Sequence, residues 1–288
     1  ATLKVPVTGT KGNAVVAVCK SDGTILWSYH IWVSEAQDIA CRFEEAGAYT
    51  MLDRNLGATS ATPKDRNAYG LFYQWGRKDP FGTSNYEGKL KAMYNMAGEE
   101  VTRTVEACAA EDNIPNSIAN PLTHYSGVSG GNYSWLTTVK ANIATDAMKD
   151  LWGAESGTQT KYDPCPEGWK VPEAGAPWGF RKEYKKAGAL NDGQPYDSSY
   201  PWFIEYDDAY CIGFRYKQAD SGKEYWFPFT GKKDCNKGDL NGVGGGANYN
   251  TATCQNTLAI MEMLAWGNPA SETGLNRPYG SSVRCIKE

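Results

Sequence analysis

The sequence predicts an α+β fold in which antiparallel strands predominate and helices are few and short. Runs of alternating apolar and polar residues recur along the chain, and Gly, Pro, Asn or Asp bounds them. Helix-like spacing is confined to residues 146–152, which end at Gly153, and to residues 178–187. Residues 77–161 otherwise carry few periodic signals, and we expect them to form an irregular insertion that covers the core.

An N-terminal β-hairpin is predicted from residues 14–18 and 25–33, because Asp22 and Gly23 between them supply a tight turn. The second run carries bulky residues on both faces, so we expect that strand to be buried on both sides. His30 in the same run is expected to be a hydrogen-bonded structural residue rather than a catalytic group.

Further strands are expected where apolar alternation ends at turn residues. Residues 69–76 fit either a strand or a short turn of helix. Residues 231–257 and 267–280 are rich in polar residues and glycine, and we expect both to be loops. The remaining predicted strands lie within residues 49–58, 200–230, 258–266 and 281–285.

Residues 162–172 and 280–288 are the stretches around which we expect the fold to close. Cys165 lies between two prolines, which hold its backbone extended. The terminal run alternates as a closing strand does, and it contains Cys285. We therefore expect a disulfide between Cys165 and Cys285, which would make most of the second half of the chain one closed loop.

The other six of the eight cysteines give weaker signals. An even number favours a disulfide framework in an oxidising compartment, and the absence of any Cys-x-x-Cys pair argues against a zinc ribbon. Proximity in sequence suggests two further pairs, and the last two cysteines are expected to be free and buried. The suggested pairs are Cys19–Cys41 and Cys235–Cys254, and the other two cysteines are Cys108 and Cys211.

Four segments resemble one known family. Residues 165–172, Cys-Pro-Glu-Gly-Trp-Lys-Val-Pro, and residues 280–285, Gly-Ser-Ser-Val-Arg-Cys, resemble the two ends of the FISUMP domain (Fibrobacter succinogenes major paralogous domain). Residues 52–58 and 69–80 resemble upstream segments of the same group, in the versions found on surface and fimbrial proteins of Bacteroides-type gut bacteria. The segments cover a small part of the chain, but their order and chemistry are specific.

This resemblance implies a fold akin to C-type lectins and to the formylglycine-generating enzymes. It also implies a secreted, membrane-anchored or pilus-borne binding protein, located outside the cell. The paired active-site cysteines of those enzymes are not recognisable here, so their activity is not carried over. We expect one compound domain over residues 1–288, made of N-terminal strands (1–48), core strands with an irregular insertion (49–161) and a lectin-like half (162–288).

Composition and motifs argue against several classes of protein. A net charge of −4 gives no basic surface for nucleic acid. No apolar run approaches the roughly 20 residues that span a bilayer. The two histidines lie in no nucleophile elbow or zinc-protease motif, and no phosphate-binding loop is present. We expect no cofactor.

Metal binding is not expected either. Calcium-dependent C-type lectins carry a Glu-Pro-Asn or Gln-Pro-Asp triplet and a Trp-Asn-Asp triplet, and residues 266–269 match them poorly. The oxygen-rich segment 234–242 lacks the spacing of an EF-hand loop. Calcium-mediated chelation of a sugar is therefore not predicted.

The predicted ligand-binding surface combines the two expected loops, 231–257 and 267–280, with two aromatic residues of the 200–230 run. Tyr offers a flat apolar face, Asn a donor and an acceptor, and Arg a planar fork of donors. Asn is also common in purely structural turns, which would look partly the same. The predicted residues are Trp202, Tyr206, Asn248, Tyr249, Asn250, Asn268, Asn276, Arg277 and Tyr279.

These observations predict a non-enzymatic adhesin of the cell surface or pilus tip, which binds a glycan or a protein ligand. The aromatic content of 12% suits such a surface. One alternative is a glycan-active enzyme that uses Glu205, Asp207 or Asp208 as acid or base, which requires paired carboxylates across a cleft. The other is a structural pilus subunit, which requires a long unpaired edge strand.

Overall fold

The structure is a computed structural model, and most of its described residues are organised in β-sheets. Two short α-helices and one 3-10 turn accompany the strands over the described ranges, so this part of the chain is a β-rich fold. The described residues are 3–35, 40–42, 49–85, 88–127, 134–140, 145–175, 202–206, 212–218, 221–265 and 268–288.

The first half of the chain alternates short strands with irregular segments. The strands are β1 (Gly12–Cys19), β2 (Ile25–Val33), β3 (Ala40–Arg42), β4 (Thr50–Leu52), β5 (Leu71–Gln74), β6 (Phe81–Gly82), β7 (Thr104–Ala107) and β8 (Thr123–Ser126). The helical segments are the 3-10 turn Arg66–Ala68, α1 (Ile114–Ala119) and α2 (Asp146–Lys149).

The second half contains the longer strands. They are β9 (Trp169–Lys170), β10 (Trp202–Tyr206), β11 (Ile212–Lys217), β12 (Glu224–Pro228), β13 (Lys232–Lys233), β14 (Leu240–Asn241), β15 (Gly246–Gln255), β16 (Leu258–Ala265), β17 (Asn268–Asn276), β18 (Gly280–Ser282) and β19 (Ile286–Lys287).

Two larger sheets share the C-terminal segment. The eight-stranded sheet has the order β14-β13-β18-β15-β16-β17, and β5 and β6 extend it from β18. The four-stranded sheet has the order β3-β4-β19-β9. Because β18 and β19 are only three residues apart, the C-terminal segment supplies an internal strand to both sheets. Smaller sheets are formed by β10-β11-β12, by the β1-β2 hairpin and by the parallel pair β7-β8.

The core divides into two aromatic clusters. One contains three buried indoles, Trp75, Trp135 and Trp152, with the rings of Trp75 and Trp152 5.8 Å apart. Each indole N–H donates to a backbone carbonyl, as a buried Trp requires. The other cluster packs β11, β12 and β15 together, with Phe214 edge-on to Phe229 at 5.2 Å.

The predicted hairpin and the predicted bridge are both present. β1 and β2 pair antiparallel around a turn that contains Gly23, which has a φ of 86°. Cys165 and Cys285 form a disulfide that joins positions 120 residues apart. The prediction that β2 is buried on both sides was wrong, because Leu26 and Tyr29 are 49% and 45% exposed.

The two further cysteine pairs suggested by proximity were wrong. The thiols of Cys19, Cys235 and Cys254 are free, and that of Cys19 is exposed at the end of β1. Cys235 precedes β14 and Cys254 lies in β15, so short separation in sequence does not bring their sulfurs together. Cys108 is free and buried, as expected.

The prediction that residues 231–257 and 267–280 form loops was also wrong, because most of each segment belongs to the eight-stranded sheet. Residues 246–255 form β15, and residues 268–276 form β17. A polar residue such as Asn250 can lie inside this sheet because its side chain is hydrogen-bonded. Its Nδ2 donates to the carbonyls of Tyr73 and Ser281 at 2.9 and 3.2 Å. A buried amide is tolerated when such partners are supplied.

Other expectations have mixed outcomes. Residues 71–74 form strand β5 rather than a helical turn, and the helix expected over 146–152 is confined to α2. The helix expected over 178–187, Cys211 and the side chain of Cys41 lie outside the described residues. Within the described part of the chain, none of the helices is long and apolar enough to cross a membrane.

Candidate functional site: the Trp27 cleft

Most described members of the predicted ligand-binding set lie in the interior. Tyr249 and Asn250 are fully buried in β15, Asn248 is 7% exposed beside them, and Arg277 is fully buried after β17. These four residues were expected on surface loops, and that expectation was wrong. They pack the sheet instead of presenting donors and rings to a ligand.

The contacts of Tyr249 and Arg277 show what they do. The Tyr249 hydroxyl donates to the Pro228 carbonyl at 3.3 Å, and its ring meets Phe227 edge-on at 6.3 Å. Arg277 donates to the Asn256 carbonyl at 2.6 Å and lies 4.7 Å from the centre of the Trp75 ring. Both side chains therefore hold core elements together.

The remaining predicted residues do not complete a site. Asn276 and Tyr279 are partly exposed, and Lys232 lies 4.9 Å over the Tyr279 ring. A hydrogen bond with Cys235 and burial raise the pKa of Tyr279 to about 12. The side chains of Trp202, Tyr206 and Asn268 lie outside the described residues.

A different surface feature has the chemistry of a binding site. An open cleft of about 560 Å³ lies between strand β2 and residues 161–164. We call it the Trp27 cleft. It is lined by Trp27, Ser28, Tyr29, His30, Lys78, Lys161, Asp163 and Pro164.

Aromatic rings and ammonium groups meet in this cleft. The partly exposed ring of Trp27 lies 5.9 Å from that of Tyr162, at an interplanar angle of 45°. The Nζ atoms of Lys78 and Lys161 lie 4.6 and 5.8 Å from the centre of the Trp27 ring. Such distances give cation–π attraction, which helps to hold the indole in place.

Lys78 is held in place by a buried network. Its Nζ donates to both carboxylate oxygens of Asp79 at 2.8 Å and to the Ser28 carbonyl at 2.9 Å. The Ser28 hydroxyl in turn donates to Asp79 at 2.7 Å. Since Asp79 balances the charge of Lys78, the exposed Lys161 is the cleft cation that remains accessible to a ligand.

His30 connects the cleft to the body of the fold. Its Nε2 is 2.9 Å from Asn13 Oδ1, and its Nδ1 is 3.1 Å from the Tyr73 hydroxyl. Burial lowers the pKa of His30 to about 4. The ring is therefore neutral at pH 7 and hydrogen-bonded on both sides, as expected for a structural residue.

Asp163 is the buried carboxyl of the cleft. It accepts hydrogen bonds from the backbone N–H groups of Cys165 and Val171 at 2.8 and 3.0 Å. Burial raises the pKa of Asp163 to about 7, although these two hydrogen bonds oppose the change. The aspartate therefore ties the cleft to the segment that carries the disulfide.

This arrangement can bind a flat, partly apolar group and a neighbouring anion. A sugar ring can stack on the exposed part of the indole, while an acidic substituent reaches Lys161. Among the described lining residues, Asp163 is the one carboxyl group, and both its oxygens already accept backbone hydrogen bonds. Glu205, Asp207 and Asp208 of the enzymatic alternative lie outside the described side chains.

The oxygen-rich segment 234–242 is used locally. Asp234 accepts from the backbone N–H groups of Asn236 and Lys237, and Asp239 pairs with Arg103 at 3.0 Å. Within the described residues, no group of three or more His, Cys, Asp or Glu side chains is placed to hold a metal ion.

Sequence reasoning missed the Trp27 cleft for an identifiable reason. Bulk on both faces of β2 predicts burial of the whole strand, Trp27 and Tyr29 included. The available signal was the neighbouring pair Lys78 and Asp79 in a segment already singled out for its resemblance.

Comparison of the chain with family models, curated proteins and solved structures gives no significant match.

Proposed function

We propose that this chain is a non-enzymatic binding module of the cell surface, with a lectin-like fold, that recognises glycans through the Trp27 cleft. The observation that carries the proposal is the partly exposed indole of Trp27 in an open cleft, beside the accessible ammonium group of Lys161. An amphipathic ring of this kind stacks on the apolar face of a sugar, and the ammonium selects sugars that bear a carboxylate or sulfate.

The family resemblance and the disulfide support an extracellular location. The segments that resemble the FISUMP domain include both bridged cysteines, and such bridges persist in oxidising compartments. A surface or fimbrial adhesin exposes its binding cleft to glycans of another cell or of the matrix. We therefore place the partner outside the cell that makes the protein.

The test is a glycan array that contains neutral and acidic oligosaccharides, probed with wild type, Trp27→Ala and Lys161→Gln. Trp27→Ala is expected to weaken binding of every recognised glycan at least about tenfold, which corresponds to about 1.4 kcal/mol. Lys161→Gln is expected to weaken the binding of acidic glycans and to leave the binding of neutral glycans unchanged. Tyr94→Ala is the matched control, because Tyr94 is 64% exposed and does not line the cleft.

Stability must be measured beside binding, since Trp27 also contacts Lys78. A melting temperature close to wild type shows that the loss is local. Glycan binding that is unchanged in Trp27→Ala would remove the cleft from the recognition surface. A chain that binds no glycan on the array would contradict the proposal as a whole.

One observation favours the structural-subunit alternative as a second candidate function. Strand β17 has nine residues and pairs with β16 on one side, and no second neighbour occurs among the described strands. An open edge of this length can add a strand from another copy of the chain. Edge pairing predicts a dimer that forms with increasing concentration in sedimentation experiments, and a monomer at every concentration would contradict it.

A further inference from the structure

A second cavity, separate from the Trp27 cleft, contains a buried lysine. The cavity has a volume of about 280 Å³, and its wall includes Phe81, Glu100, Arg103 and Lys233. It shares no described lining residue with the Trp27 cleft. Any chemistry in this cavity is therefore distinct from the proposed glycan recognition.

Lys233 is shielded from water and has no hydrogen-bond partner among the described residues. It lies in the short strand β13 and is 0% exposed. Its Nζ makes no hydrogen bond with any described residue, and it lies 4.2 Å from the centre of the Phe81 ring. A lysine is rarely left in this state, because a buried ammonium group without a partner is unfavourable.

The charges around Lys233 disfavour its protonated form. Burial and the positive charges of Arg103 and Arg77 together lower the pKa of Lys233 to about 6, and Asp239 opposes this change only in part. His124 is close by, but burial and its cationic neighbours lower its own pKa to about 2, so it stays neutral. At pH 7 most Lys233 side chains therefore carry a free amine.

We propose that Lys233 is a covalent carbonyl-binding site, which forms an imine with a small aldehyde or ketone that enters the cavity. A desolvated amine beside cationic groups is the arrangement that makes lysine a nucleophile. Arg103, Lys91 and Glu100 also line the cavity, so two cations outnumber one anion and a carbonyl compound that carries a carboxylate suits it best. The site is a property of this chain beyond recognition in the Trp27 cleft.

The reaction is balanced without a further reactant. The lone pair of Lys233 Nζ forms a C–N bond to the carbonyl carbon, and the carbonyl oxygen becomes the hydroxyl of a carbinolamine. Both hydrogens of the amine and that oxygen then leave as one water molecule, and a C=N bond remains. Addition of water reverses the step.

The experiment uses glyoxylate as the probe and sodium cyanoborohydride as the trap. The reductant converts the imine to a stable secondary amine, which peptide mass spectrometry locates. Modification of the folded chain at pH 7 is expected at Lys233 at least about tenfold faster than at Lys232. An exposed lysine has roughly a thousandfold less free amine at this pH, and this margin allows for slower entry to the cavity.

Lys232 is a matched internal control, because it is adjacent in β13 and partly exposed. In chain unfolded in urea, Lys233 and Lys232 should be modified at similar rates, since both lysines then have similar surroundings. The rate at Lys233 should rise with pH and be half-maximal near its lowered pKa, about 6. Label should dissociate when the reductant is omitted and glyoxylate is removed.

The proposal is overturned if folded chain is modified at Lys232 as fast as at Lys233, or if the ratio is the same in urea. Both measurements use the wild-type chain, so they do not depend on whether a variant folds. Lys233→Met adds a check on total labelling, with near-ultraviolet circular dichroism to establish its fold. It should lack the fast phase of modification and keep the slow phase of the surface lysines.

Discussion

Arg284 Nε donates a hydrogen bond to Asn55 Oδ1 at 3.0 Å, although 229 residues separate them in sequence. Both side chains are fully buried. Arg284 also donates to the carbonyls of Leu52 and Trp226 at 3.2 and 2.6 Å. One guanidinium group thus joins the segment after β4, strand β12 and the C-terminal segment.

Replacement of Arg284 by Met should lower the free energy of unfolding by about 3 kcal/mol or more. Buried acceptors at Asn55, Leu52 and Trp226 would lose their donor, and hydrogen bonds to charged groups are among the stronger ones. Urea denaturation followed by tryptophan fluorescence measures the effect. Arg215→Lys is the control, since its pairing with Glu224 lies nearer the surface and should change stability by less than about 1 kcal/mol. Equal losses in the two variants would show that Arg284 is not a central link.

Loss of the disulfide should destabilise the chain more than loss of any free thiol. The Cys165–Cys285 bridge spans 120 positions, and chain entropy assigns about 4 to 5 kcal/mol to a loop of that length. The double variant Cys165→Ser/Cys285→Ser should therefore unfold at a much lower urea concentration. Cys19→Ser should match wild type, because that thiol is exposed and unbridged. A reductant should affect wild type and leave the double variant unchanged.

Gly70→Ala should be strongly destabilising for two reasons, the backbone conformation of Gly70 and the lack of space for a side chain. Its φ is 72°, and an added Cβ would lie 2.5 Å from the Leu56 carbonyl oxygen. Gly98 is a matched control, with a φ of 80° and nothing within 4 Å of the added atom. Gly98→Ala should cost about 1 to 2 kcal/mol from backbone conformation alone, and Gly70→Ala clearly more. Similar melting temperatures would show that the contact with Leu56 relaxes freely.

Asp163 should give the fold a pH dependence opposite in sign to that of a salt-bridged carboxylate. The pKa of Asp163 rises from 3.8 to about 7 through burial, so the folded chain retains this proton at pH values where the unfolded chain has lost it. Its contribution is fully present below about pH 4 and is lost as pH rises to about 7. The loss over this window is at most about 4 kcal/mol.

Asp163→Asn isolates this effect from the two histidines. Burial lowers the pKa of His30 to about 4 and that of His124 to about 2, so both contribute in the opposite direction as pH falls below 6.5. The measured quantity is the difference in free energy of unfolding between wild type and variant at several pH values. The difference should move in favour of the variant from pH 4 to pH 7. A difference that is constant over this range would show that Asp163 titrates normally.

The sequence predicted those parts of the fold that depend on local chemistry. Asp22 and Gly23 define the hairpin turn, and Pro164 and Pro166 restrict the backbone on either side of Cys165. Each signal lies within a few residues of the structure it determines, which is why the hairpin and the position of the bridge could be predicted. The strands within 200–230 and 258–266 followed in the same way from alternating residues.

The rest depended on partners that are distant in sequence. Asn250 reads as a loop residue until Tyr73 and Ser281 supply acceptors for its amide. Trp27 reads as a core residue until Lys78 and Lys161 are placed beside an open cleft. The lowered pKa of Lys233 likewise depends on burial and on the charges of Arg103 and Arg77, which lie more than a hundred residues away. Periodicity carries no information about such neighbours, so the site could not be predicted with the strands.

The placement of β18 and β19 has a consequence for the order of events during synthesis. β18 pairs with β5, β13 and β15, while β19 lies between β4 and β9, so neither large sheet can close until residues 280–287 have left the ribosome. Until then, the strands that flank β18 and β19 in the two sheets lack these neighbours. Both large sheets are therefore completed only after residues 280–287 have been made, and not strand by strand as the chain emerges.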